Sequence, residues 1–188
     1  MKVVLLNKSM FVRLPMLYER KEASVKYSVA RFSDRIPYEI GNKTELGMEL
    51  KRDLSNKRRL SDELQKSIWR QLFMNVDENL EILFVNQCLE VDSYKNLFHV
   101  LNDMHFRYEE ILDLYLDEED IVRRARQFSE QKTTTESIPV EEFINKVLMR
   151  EKERLNTISG LSKITKVKSI YSGVSIDELE HKVWETIL

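Results

Sequence analysis

The segment YKNLFHVLNDMHFRYEEILDLY, residues 94–115, decides how the rest of the chain is read. In it Tyr94, Leu97, Phe98, Leu101, Met104, Tyr108, Ile111, Leu112 and Tyr115 recur at three- and four-residue intervals. That spacing is one stripe of an α-helix kept in register for about six turns at 3.6 residues per turn. It predicts a single long central helix on which neighbouring elements lean.

Working toward the C-terminus, Asp117 recaps the chain, and Ile121, Val122, Ala125 and Phe128 carry the stripe onward. Working back, Asp92-Ser93 opens the central helix. Before it, Leu80, Leu83, Phe84, Cys88 and Val91 fit a helix, although Ile82–Val85 serves equally as a buried strand. Ser61-Asp62-Glu63 is a helix start, a capping serine followed by acids that suit a helix N-terminus. Leu64, Ile68, Trp69, Leu72, Phe73 and Val76 give that helix its buried stripe. A further helix is expected over Thr44–Leu54, with Leu46, Leu50 and Leu54 spaced by four.

The N-terminal 43 residues read as a small antiparallel β element. Lys2–Leu6 and Met10–Leu14 are candidate strands, Ser24–Phe32 alternates with a period of two, and Ile36–Ile40 is placed as an edge strand because Pro37 cannot donate to a ladder. Ser129–Ser137 is polar and unperiodic and reads as a linker. Beyond it a compact helical module is expected over 138–188. Pro139 opens a helix, Gly160 stops it, a shorter helix covers Leu161–Tyr171, and Ser175-Ile176-Asp177-Glu178 is a capping box for the last helix. The predicted fold is mainly α: β element 1–43, helical core 44–130 and helical module 138–188.

A chain of 188 residues with 42% hydrophobic and 33% charged residues can bury one respectable core. With four Gly and three Pro, tight turns are scarce and long helices are favoured. Cys88 is the lone cysteine, so intramolecular disulfides and cysteine-cluster zinc sites are excluded and a cytoplasmic setting is expected. No apolar run has the length of a bilayer span, and no membrane partner is expected. The net charge of −2 conceals three blocks: +7 over 1–60, −11 over 61–120 and +2 over 121–188. Segregation of this kind bears on partners and association rates rather than on fold.

Three surfaces follow from that pattern. Glu109, Glu110, Asp113, Asp117, Glu118, Glu119 and Asp120, interleaved with Tyr108, Tyr115 and Leu116, form an acidic face suited to the basic surface of another protein, against the plain alternative of a solvated helix face. Lys51, Arg52, Lys57, Arg58 and Arg59, with Lys26, Arg31 and Arg35 on or beside the expected strands, could instead track a nucleic-acid backbone or face the acidic block. In the tail, a short helix, a Gly173-Val174-Ser175 turn and a second helix have the layout of a helix-turn-helix. Asp177, Glu178 and Glu180 on the second helix carry the wrong sign for phosphates, and the cations Lys163, Lys166 and Lys168 lie on the preceding segment.

Catalytic readings are weaker. His99 and Asp103, four apart, with Glu110 seven further on, could present ligands to one cation, though such residues are far more often simply exposed. His105 falls on the apolar stripe and is expected in the core beside Glu109. Asp34 with Glu49-Leu50-Lys51 mimics the acid order of metal-dependent nucleases, but Glu49 reads as helical where those enzymes use a strand. Cys88 reads as a small buried hydrophobe. No phosphate-cradling glycine loop or serine elbow occurs. The sequence therefore predicts a non-enzymatic interaction protein, an adapter or regulator with another protein as partner, and neither cofactor nor metal. A nucleic-acid-associated protein is the alternative, and a nuclease or hydrolase the third reading.

Overall fold

The computed structural model describes residues 1–15, 25–86, 91–131 and 138–188. In chain order its elements are β1 (Lys2–Lys8), β2 (Tyr27–Ala30), α1 (Phe32–Gly41), α2 (Glu45–Ser55), α3 (Asp62–Met74), β3 (Ile82–Asn86), α4 (Val91–Asp103), β4 (Arg107–Tyr115), α5 (Glu118–Gln131), α6 (Val140–Leu161), β5 (Val167–Tyr171) and α7 (Ile176–Ile187). The described strands form one five-stranded sheet in the order β2-β3-β1-β4-β5. Its strands are parallel, as the β2–β3 and β4–β5 registers show. The protein is thus an α/β protein of Rossmann-like kind. The expected antiparallel N-terminal element with a mainly helical core is overturned.

Residues 94–115 account for most of that correction. The helical stripe ends with α4 at Asp103, and Ile111, Leu112, Asp113 and Leu114 are consecutive buried residues of a strand. His105 makes the break. It adopts a left-handed conformation with φ 58°, Phe106 N donates to Leu101 O at 2.8 Å, and His105 N donates to Asn102 O at 3.1 Å. Those two bonds are the 6→1 and 5→2 pair of a Schellman cap, which satisfies carbonyls the helix end would leave bare. His105 is consequently exposed and not a core histidine.

Other elements are settled or corrected in the same way, by where each segment lies in the fold. The ambiguous Ile82–Val85 lies in strand β3, and Val167–Tyr171 lies in strand β5 rather than a helix. The expected edge strand at Ile36–Ile40 is helix α1, with Pro37 inside it. Helix α6 runs through Gly160, and α5 continues to Gln131, which makes 129–131 helical; 132–137 lie outside the described residues, as does Cys88.

Three helix starts, those of α2, α3 and α7, are as the sequence has them. Thr44 Oγ1 accepts from Gly47 N at 3.0 Å, Ser61 Oγ from Leu64 N at 3.2 Å, and Ser175 Oγ from Glu178 N at 3.3 Å. Among the described residues, no helix is long and apolar enough to cross a membrane.

The chain divides into two compact units, Met1–Leu5 with Glu22–Glu109 and Leu6–Lys21 with Glu110–Leu188. In the first, Leu50, Leu64 and Ile68 make a buried cluster covered by Phe32, Ile36, Ile40, Leu46 and Leu60. An aromatic run joins Phe32, Trp69, Phe73 and Phe106 at centroid spacings of 5.1, 5.6 and 5.3 Å. Gly47 lets α2 approach α1, because a Cβ there would collide with the Glu39 carbonyl. In the second unit α5 packs on α6, where Phe128 stacks on Phe143 with centroids 5.8 Å apart.

Candidate functional site

In open parallel sheets, ligands sit outside the carboxyl ends of the strands. The carboxyl ends of β1, β4 and β5 all belong to the second unit. Strands β4 and β5 run in register, with Asp113 beside Ser169 and Tyr115 beside Tyr171. Ser9 fastens the end of β1 to the end of β4: its N–H donates to Leu114 O at 2.9 Å, and its Oγ accepts from Leu116 N at 3.1 Å.

Below that edge lies a buried polar network. Arg154 of α6 donates from Nε to Glu151 Oε1 at 2.8 Å, from Nη1 to Asn7 Oδ1 at 3.1 Å, and from Nη1 to Asp113. Ser9 Oγ donates to Glu151 Oε1 at 2.8 Å, and Ser169 Oγ to Asp113 Oδ2 at 3.4 Å. Asn7, Ser9, Asp113, Glu151 and Arg154 are all buried. Burial pushes the Asp113 carboxyl above its usual range, and the Glu151 charge adds to that rise; the Arg154 guanidinium pulls the other way without cancelling it. One guanidinium thus faces two carboxyl groups, and burial makes the Asp113 carboxyl hold a proton more tightly than an exposed one.

A second cluster sits at the ends of β4 and β5. The Tyr171 hydroxyl donates toward Asp120 Oδ2 at 2.7 Å and lies 3.2 Å from Asp117 Oδ2. Asp117 also caps α5, accepting from Asp120 N at 2.8 Å, and Arg123 pairs with Asp120. The hydrogen bond to Asp120 holds the Tyr171 hydroxyl up at about 12, the reverse of what an acid needs to ionise near neutrality.

Beside these clusters opens a cleft of about 480 Å³, within the usual range for small-ligand sites. The chain leaving β1 contributes Phe11 and Arg13, α5 contributes Arg124, Gln127, Phe128 and Gln131, and the turn after β5 with the start of α7 contributes Ser172, Val174, Ser175, Ile176 and Leu179. Among these described lining residues are two arginines and no carboxylate. Arg124 Nη1 donates to Phe11 O at 3.2 Å, while Arg13 is exposed to solvent. The Phe11 and Phe128 rings stand 6.1 Å apart at 55°.

The sequence-derived sites fare differently. The acidic run does not form one helical face. Glu109 and Glu110 are on β4, and Glu110 is buried against Lys168 at 2.8 Å and Lys166 at 3.4 Å. Asp113 and Asp120 are buried in the two clusters above, which leaves Glu118 and Glu119 as exposed side chains on the first turn of α5, next to the exposed Asp117.

The basic block divides as well. Arg31 pairs with Asp34 at 3.5 Å, and Arg35 pairs with Glu39 at 2.6 Å while lying over the Tyr38 ring. Lys26, Lys51, Arg52, Lys57, Arg58 and Arg59 are exposed. The element before Gly173 is strand β5, so the helix-turn-helix layout is absent; Lys168 lies on that strand, and Lys163 and Lys166 precede it.

His99 Nε2 lies 3.4 Å from Asp103, whose carboxylate also takes Arg70 at 2.9 Å, an ion-pair arrangement and not a ligand pair. Glu49 is an exposed residue of α2. Among the described residues, no three His, Cys, Asp or Glu side chains converge to hold a metal.

Sequence reasoning missed Arg13, Arg124, Arg154 and Tyr171. Arg13 and Arg124 come from distant parts of the chain, so no local spacing announces them. No family model matches the sequence, and no curated protein matches it at a significant level.

Proposed function

We propose that the protein binds a small organic anion with a flat apolar body in the cleft at the carboxyl ends of β1 and β5. The observation that carries this reading is the lining: Arg13 and Arg124 beside Phe11 and Phe128, with no carboxylate among the described lining residues of a chain whose net charge is −2. Guanidinium groups take carboxylate or phosphate oxygens in a fork and also stack on planar rings. The position at the carboxyl edge of a parallel sheet is the expected one for such a ligand. The test is isothermal titration with nucleoside monophosphates and aromatic carboxylates, comparing the native chain with Arg13→Gln. Saturable binding that weakens in Arg13→Gln supports the reading; no heat with any of these probes overturns it.

A second reading, a protein or nucleic-acid partner held by surface charge, keeps one favouring observation. Lys51, Arg52, Lys57 and Arg58 are exposed within eight residues at the end of α2 and the turn after it. Salt-dependent retention on heparin separates this from the cleft, since phosphate-backbone binding falls steeply with salt.

A further inference from the structure

One wall of the cleft is the short turn from the end of β5 into α7. Within it Ser172, Val174 and Ser175 line the cleft, and Gly173 does not. The turn has two backbone anchors, Ser172 N on Tyr115 O at 2.8 Å and Leu179 N on Ser175 O at 3.0 Å. Just before those anchors, at the last position of β5, the residue that reaches out is Tyr171. Its ring lies 5.6 Å from the Tyr115 ring, and its hydroxyl reaches the first turn of α5, which supplies the opposite wall through Arg124 and Phe128. A hydroxyl has one proton to give. The shorter contact, 2.7 Å, directs it to Asp120, and Asp117 at 3.2 Å sits close enough to take it in exchange. The approach is so close that a Cβ on Gly173 would overlap the Tyr171 hydroxyl and the Asp120 carboxylate. A side chain at 173 would have to displace the Tyr171 hydroxyl or the Asp120 carboxylate, and it is this packing that favours glycine there, not its φ, which lies outside the left-handed range.

We infer that Tyr171 is a positioning residue of the cleft, a latch whose hydroxyl, held by Asp120 and Asp117, fixes the 172–175 turn against α5 and so sets the spacing of the two walls. Among the described residues the Tyr171 hydroxyl bonds Asp120 and Asp117 and no lining arginine, so its loss acts on affinity through geometry, whereas the Asp120 carboxylate also feels the charge of Arg124. It rests on the proposed ligand reading for its purpose, but the contact itself is independent of any ligand. A ligand that needs one wall spacing binds in proportion to the fraction of molecules that hold it.

The experiment measures two things on the full chain. Hydrogen exchange of the 172–176 amides reports the latch, and titration with a nucleoside monophosphate reports the cleft. Tyr171→Phe keeps the ring and deletes the hydroxyl. It is expected to speed exchange at 172–176 and to weaken the probe by roughly tenfold, the scale of one hydrogen bond to a charged group. Asp120→Ala removes the acceptor and gives the same rise in exchange, while its effect on the probe also carries the loss of a charge near Arg124. In Gly173→Ala the new methyl displaces the hydroxyl, so adding Tyr171→Phe to it produces little further change, a non-additive cycle. A residue that merely stabilised the fold would instead shift the unfolding midpoint and raise exchange throughout the second unit. Unchanged exchange at 172–176 in Tyr171→Phe overturns the latch. Faster exchange there together with no probe binding by the native chain keeps the latch and removes the ligand reading. Faster exchange with full probe affinity overturns the positioning role.

Discussion

Arg154 Nε donates to Glu151 Oε1 over 2.8 Å, one turn away on the same helix, with both side chains buried. An ion pair at that spacing on a solvated helix face contributes little. Here the same guanidinium also reaches Asp113 on β4 and Asn7 on β1, which makes it the point where α6 meets the sheet of the second unit.

Removing that guanidinium strands two buried carboxyl groups. Arg154→Met fills similar volume but leaves Asp113 and Glu151 without their counter-charge. The expected cost is about 3–5 kcal/mol of unfolding free energy, the scale for breaking a buried pair from one side. Converting all three positions, with Asp113→Leu and Glu151→Leu added, should recover most of that loss. Urea denaturation of the single and triple variants measures it. A triple variant as unstable as the single one would mean that the hydrogen bonds to Asn7 and Ser9, and not the charge balance, carry the stability.

The pH dependence of the same cluster has a definite sign. Burial raises Asp113 above its ordinary 3.8, so the folded protein holds that proton more tightly than the unfolded chain. Its contribution is then fully present below the ordinary value and is lost as pH rises through the raised one. Asp113→Asn mimics the protonated side chain and cannot titrate. The native chain should therefore lose stability relative to Asp113→Asn between about pH 4 and pH 7, a window that starts at the ordinary carboxyl range. Urea midpoints of the two proteins at both pH values give the comparison. A relative gain over that interval would show that the Arg154 charge outweighs burial.

How much of this was legible in the sequence depends on the range of the interaction. Caps at Ser61, Asp117 and Ser175 were readable because cap and recipient lie three residues apart, and the hydroxyl or carboxylate carries its own signature. Strand β4 was not. Ile111, Leu112 and Leu114 are all buried, and a strand covered on both faces loses the alternation that distinguishes it from a helix. Nine residues without a turn signal were then absorbed into the stripe of α4, whose own period is genuine. The candidate cleft lies further out of reach. Arg13 and Arg124 share it because β1 and β4 are neighbours in the sheet, a fact of topology. The acidic run was visible as composition, yet composition does not reveal that Glu110 faces Lys168 while Glu118 faces water.

His105 offers a direct check on the helix-to-strand break. Its φ of 58° is a conformation that glycine adopts without the Cβ penalty. Because the side chain is exposed, little packing is lost with it. His105→Gly relieves the Cβ penalty that histidine already bears and should hold or raise stability, whereas the β-branched side chain of His105→Val is worse placed there and should lower it, so the two variants should separate by about 1–2 kcal/mol. Thermal unfolding of the two variants measures the difference. In a continuous helix over 94–115 the order would reverse, since glycine is the poorer helix former there.

The exposed charges give the last prediction, which decides between the cleft and a charged surface. Glu118 and Glu119 lie in the first turn of α5, where negative charge is favoured by the helix N-terminus. Glu118→Lys with Glu119→Lys should thus lower stability by about 1 kcal/mol in all. Lys51→Glu with Arg58→Glu touches exposed positions near the end of α2 and should leave the unfolding midpoint nearly unchanged. If the second reading holds, that basic pair carries binding to a polyanion. Heparin retention of the native chain should then fall in the Lys51→Glu, Arg58→Glu protein and lose part of its salt dependence, because each phosphate contact removed lowers the salt slope by about one. Titration of the cleft with a nucleoside monophosphate should be unaffected by either pair, since neither contributes to its lining. If the basic pair abolishes both retention and nucleotide heat, the anion is held at the α2 surface and the cleft assignment is lost. Native heat that survives both pairs but falls in Arg13→Gln assigns the anion to Arg13 and to the carboxyl edge of the sheet.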